Sequence, residues 1–171
     1  MNADPHPVFA WLATQLHTLS PTDLWLVGGS LLLLRASSRL GMWPYALLAM
    51  PGTLAHELAH YLVALLLGAS PSFPSLTPQR AAGGWRLGSV TFRAGVVRAL
   101  PIALAPFALL PLSLWWAASL MAPADGALYF MHAWIVAALV SASLPSSADF
   151  KLALPALAVI AVAALAYAYL T

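Results

Sequence analysis

The chain contains one glutamate, Glu57, and it lies between two of the five histidines in "HELAH", residues 56 to 60. On a helix, residues four apart sit one above the other on the same face. The imidazoles of His56 and His60 would therefore reach one cation together, at the ~2.0–2.1 Å typical of zinc–nitrogen bonds. Glu57 adjoins the first of them. A carboxylate there can hold a water beside the metal and take its proton, and zinc lowers the pKa of such a water towards ~7. The H-E-x-x-H spacing is the one used for zinc-assisted peptide hydrolysis. Chance produces it about once in a thousand sequences of this composition. The same residues have two other uses: a polar cluster hydrogen-bonded between helices, or a pair of haem-binding histidines.

A zinc that activates water needs a third protein ligand and one open position. The remaining acids are Asp4, Asp23, Asp125 and Asp149. Asp4 lies in the N-terminal tail, Asp23 at the edge of a helix, and Asp125 in the short "APADG" turn. Asp149, in "SLPSSADFK", falls in the first turn of a helix that Ser146 or Ser147 can cap. A carboxylate also suits the positive end of a helix. That capping role would explain the residue by itself; a zinc short of one ligand is the reason to assign it more. His132, in "YFMHAW", is the rival third ligand, and an interhelical hydrogen bond is its ordinary use. His6 and His17 lie outside the apolar runs.

The elements that carry these residues are apolar. Of 171 residues, 62% are hydrophobic and only 7% charged, against about 25% charged in a soluble domain. Such a chain cannot cover a water-facing surface, so an integral membrane protein in contact with the lipid bilayer is expected. Seven scattered basic residues are too few for a nucleic-acid footprint. The absence of cysteine excludes disulfides and thiolate metal sites. Five apolar segments are expected to form membrane helices, at about 22–36, 45–68, 98–121, 126–144 and 147–170. The stretch "VFAWLATQLHTL" before them suits the membrane interface. The fold class expected is thus an all-α polytopic membrane protein, a single domain over residues 1–171. The third segment contains Pro101, Pro106 and Pro111, which free backbone carbonyls that other groups must satisfy.

Residues 70–93, "SPSFPSLTPQRAAGGWRLGSVTFR", do not fit a helix. A hairpin is expected there, with strands near Ser72 to Gln79 and Trp85 to Arg93 around the "AAGG" turn. Its prolines make the first strand irregular or place it at an edge. With five spans, Arg80, Arg86, Arg93, Arg98 and Lys151 share one side, against Arg35 and Arg39 on the other. The positive-inside rule puts the larger group and the N-terminus in the cytoplasm.

A membrane-placed "HELAH", then "GGWRLGSVTF", then a late "LPSSADF" resembles the site-2 protease family of intramembrane zinc metalloproteases. The resemblance covers most of residues 45 to 155. It implies Zn²⁺ as cofactor, His56, His60 and Asp149 as metal ligands, and Glu57 as the catalytic base. It also implies a membrane-associated β region that presents an unwound transmembrane protein or peptide substrate. Trp85, Leu87, Val90 and Phe92 are the corresponding substrate-binding candidates. The expected location is the cytoplasmic membrane of a bacterium or archaeon. The chain departs from the family pattern in having Phe150 after the aspartate and no asparagine nearby. A zinc-binding membrane scaffold without catalysis is the alternative reading.

Overall fold

The computed structural model describes residues 7–81 and 84–170. Six helical segments occur among them: α1 (Pro7–Thr18), α2 (Pro21–Ser37), α3 (Met42–Leu66), α4 (Val96–Met121), α5 (Gly126–Ala142) and α6 (Ser147–Leu170). The only strands among the described residues, β1 (Gln79–Ala81) and β2 (Gly84–Arg86), lie between α3 and α4. The regular structure among the described residues is thus helical apart from one small hairpin. The helices match the expected apolar segments to within a few residues at each end, and most of "VFAWLATQLHTL" forms α1. Two helices, α4 and α6, are long and apolar enough to cross a membrane.

Local chemistry accounts for the ends of these helices. Pro21 opens α2, where its missing N–H costs nothing, and Ser20 caps it. Gly68 ends α3 in the left-handed region, at φ 64°. The Ala69 N–H then reaches back to the Ala64 carbonyl at 2.8 Å and the Gly68 N–H to that of Leu65 at 3.0 Å. This is a Schellman ending, and the two alanines it brings together are both buried. In α4 the prolines break the regular ladder. The segment tightens to a 3₁₀ turn at Ala105–Ala108 and widens to a π turn at Ala117–Met121.

The hairpin is shorter in regular pairing than expected. Gln79, Arg80 and Ala81 pair antiparallel with Arg86, Trp85 and Gly84. Beyond them, among the described residues, the two arms meet at Ser75–Ser89, through two bonds of 2.9 Å, and at Ser72–Thr91. Pro74 and Pro78 interrupt the first arm because neither has an N–H to donate. The second arm ends where the Arg93 N–H bonds to the Ala69 carbonyl at 2.8 Å.

The described residues sort into two compact units. One comprises α1, α2, α3 up to Gly52, and residues 108–141. It packs around Ala117, Met121, Ala133 and Val136, with Leu26, Trp116 and Tyr129 against them. The other comprises residues 53–107 of α3, the hairpin and the start of α4, together with residue 142 onward. Ala64, Ala69 and Ile102 form its core, with Val63, Leu67 and Phe92 packed on them. The first part of α4 also lies against α6 there.

Most buried hydrophobic residues are alanines, while many leucines, valines and aromatic residues are exposed. Small residues let helix backbones approach closely, as in membrane-embedded packing. From Leu157 to Leu170 every residue of α6 is exposed.

Candidate metal centre

His56, Glu57 and His60 lie just past the middle of α3. The helix puts both imidazoles on one face, with their ring centroids 4.8 Å apart and the rings nearly perpendicular. Asp149 comes from the first turn of α6. It is held there by a reciprocal cap: the Ser146 N–H donates to Asp149 Oδ2 at 2.6 Å, and the Asp149 N–H donates to Ser146 Oγ at 3.3 Å.

Three ligand atoms converge. His56 Nε2 and His60 Nε2 are 3.1 Å apart. Asp149 Oδ1 lies 3.3 Å from His60 Nε2, and Oδ2 lies 3.6 Å from His56 Nε2. Zinc bonds of ~2.0–2.2 Å at tetrahedral angles separate neighbouring ligand atoms by roughly 3.3 Å. The three separations fall around that value. All three side chains are largely buried.

The other nitrogen of each ring fixes what these atoms can do. His56 Nδ1 is 2.7 Å from the Ala142 carbonyl, and His60 Nδ1 is 2.7 Å from the Ile102 carbonyl. A carbonyl oxygen only accepts, so Nδ1 carries the proton in both rings. In the neutral rings Nε2 is then a lone pair. Two lone pairs and a carboxylate facing one another at this distance repel unless positive charge lies among them. A divalent cation satisfies all of them at once, so the donor set fits zinc. Backbone carbonyls are common outer partners for zinc-binding histidines.

Both carbonyls are available for local reasons. Ile102 would normally accept from the N–H of residue 106, but that residue is Pro106. Only the tighter bond from Ala105 returns to it. Ala142 ends α5, where a carbonyl has no partner further along its own helix. The effect of the α4 prolines was legible in the sequence, but the identity of the group that uses the carbonyl was not. Ala142 carried no signal, because any residue can end a helix.

Glu57 is 8% exposed and lies against the hairpin. A Cβ built on Gly88 would stand 2.6 Å from Glu57 Cγ and 2.8 Å from Oε1. The backbone of the second arm therefore rests directly on the glutamate. Sequence reasoning missed Gly88, although a glycine inside a β-leaning run is a signal for close backbone approach.

The four residues considered for substrate binding divide. Trp85 is exposed in β2, with the Arg80 guanidinium 5.1 Å from its ring centre. Leu87 and Val90 are half-buried on the arm that carries Gly88. Phe92 packs into the core around Ala64, Ala69 and Ile102. His132 is outside the ligand cluster; its Nδ1 accepts from the Trp116 indole N–H at 3.1 Å.

No protein-family model, curated protein or solved structure matches this chain. The site is therefore classed by its own residues. His56-Glu57-x-x-His60 with Asp149 close by is a cluster of the H-E-x-x-H type, typical of zinc metalloendopeptidases, and its triad is arranged to coordinate a metal ion, consistent with Zn²⁺.

Proposed function

We propose that this protein is an intramembrane zinc endopeptidase of the site-2 protease type, cutting a peptide bond within or beside a transmembrane segment of another protein. The observation that carries the reading is the convergence of His56 Nε2, His60 Nε2 and the Asp149 carboxylate beside a buried Glu57. The membrane setting is supported by α4 and α6 and by the large apolar side chains on the outside of the chain. In water such a surface would drive association.

When bound, zinc supplies Lewis acidity to a carbonyl oxygen and to water. His56, His60 and Asp149 would hold it. The Ala142 and Ile102 carbonyls keep the two imidazoles in the required tautomer and orientation. Glu57 accepts a proton from the attacking water as the oxygen adds to the scissile carbonyl carbon. It returns that proton to the amide nitrogen as the C–N bond breaks. The substrate must be extended for this, because helical hydrogen bonds shield the peptide group.

An extended substrate has a natural partner in the hairpin. Ser89 and Thr91 direct their backbone groups to the first arm. Alternation along a strand then places those of Gly88 and Val90 on the opposite edge. A substrate strand added there, flanked by Leu87 and Val90, would run beside Glu57. Trp85, further along β2, is proposed to contact the substrate through its exposed ring. Phe92 would serve by anchoring the arm.

Glu57→Gln tests the assignment. The variant keeps one zinc per chain, measured by metal analysis. Cleavage of a fluorogenic single-span peptide in detergent falls by ~10³-fold, within the range for loss of a general base. Undiminished cleavage by the metal-loaded variant would refute the role of Glu57.

A further inference from the structure

Gly88 differs from Gly28, Gly29, Gly41, Gly68, Gly95 and Gly126 in what lies next to it. Added Cβ atoms at Gly28, Gly29, Gly68, Gly95 and Gly126 would meet nothing within 4 Å. At Gly88 the atom would come within 2.6 Å of Glu57 Cγ, 2.8 Å of Oε1 and 3.0 Å of Cδ. Gly88 is not in the left-handed region, unlike Gly41, Gly68 and Gly126. An L-residue would therefore fit its backbone. Space alone demands glycine here.

The arm that carries Gly88 has little freedom to yield. The adjacent Ser89 is tied to Ser75 by two backbone bonds, and Thr91 is tied to Ser72. Phe92 is packed into the core, and Arg93 is bonded to Ala69 at the end of α3. Glu57 is the less constrained partner, a side chain with three rotatable bonds. We infer that Gly88 is a positioning residue: its bare backbone presses on the Glu57 side chain and holds the carboxyl beside the histidine pair. This rests on Glu57 being the base. It adds that the strand offered to the substrate and the group acting on the substrate are in contact, so one placement sets both.

The test uses the zinc-loaded full chain in detergent and four proteins: wild type, Gly88→Ala, Glu57→Ala and the double variant. Gly88→Ala is expected to keep one zinc per chain and a KM within about twofold of wild type for the fluorogenic peptide. Its kcat should fall ~100-fold, the scale of a 1 Å misplacement of a reacting group. Its thermal midpoint should fall by several degrees. In the Glu57→Ala background, where all three crowded atoms are gone, Gly88→Ala should leave the midpoint unchanged. An equal fall in both backgrounds, or failure of both Gly88→Ala proteins to fold, would overturn the inference, as would an unchanged kcat. If Gly88→Ala fails to fold and the double variant folds, the contact is upheld. A wild type that cuts no peptide would defeat the protease reading, while the midpoint comparison still decides the contact between Gly88 and Glu57.

Discussion

Asp23 and Asp149 occupy the same local motif and meet different partners. Each stands three residues after a serine, in "SPTD" and "SSAD", at the start of a helix. Each accepts the serine's backbone N–H, at 2.7 Å from Ser20 and 2.6 Å from Ser146. Each returns its own N–H to the serine hydroxyl. The difference lies beyond the cap. Asp23 also accepts the Tyr129 hydroxyl at 2.7 Å and that of Ser20 at 2.7 Å. Its oxygens face hydrogen-bond donors and are satisfied. Asp149 faces two imidazole Nε2 atoms that are themselves acceptors. One carboxylate completes a structural network, and the other leaves a negative site that calls for a cation. A capping box therefore does not distinguish a structural acid from a metal ligand; the third partner does.

Removing each carboxylate in turn separates the two roles most widely. Asp149→Ala should weaken zinc binding by well over ~100-fold, beyond the loss usual for outer-shell partners, and abolish cleavage. Asp23→Ala should keep one zinc per chain and lose about 1–3 kcal/mol of stability, because Tyr129 and the α2 cap lose their acceptor. Metal analysis after dialysis separates the two. Wild-type zinc affinity in Asp149→Ala would reduce that residue to a cap.

The two capping serines should differ in the same way. Ser20→Ala and Ser146→Ala should each cost about 1 kcal/mol as lost caps. Only Ser146→Ala should also weaken zinc binding, by ~10-fold, since the cap fixes the Asp149 carboxylate. Competition with a chromophoric chelator would measure this, and equal zinc affinity in both variants would uncouple the cap from the site. The smallest effect is expected at Tyr129→Phe. It removes one hydrogen bond to Asp23, costs about 1 kcal/mol in thermal unfolding, and leaves zinc content unchanged. Lost zinc in that variant would mean that the Asp23 network supports the metal site after all.

Much of the site was legible because its parts are local. The H-E-x-x-H spacing specifies a helix face once the segment is helical, and apolar composition makes it helical. The Ser146–Asp149 cap is a four-residue pattern. Pro106 announces a free carbonyl four residues before it. The hairpin was expected in place, but its pairing is shorter than the β-leaning run, because prolines in the first arm cannot donate. Phe92, a substrate-binding candidate by resemblance, packs against Ala64, Ala69 and Ile102, partners that no local pattern names.

The ligand types, the helix face that pairs His56 with His60 and the cap around Asp149 could be read from the chain, since each depends on neighbours a few residues away. The meeting of Asp149 with the histidines, the carbonyls that hold their Nδ1 protons and the contact of Gly88 with Glu57 came from packing. The His56–Ala142 contact joins residues 86 apart, and the His60–Ile102 contact joins residues 42 apart. Such meetings are set by how α3, α4, α6 and the hairpin pack, and packing depends on the whole unit at once rather than on any short pattern within it.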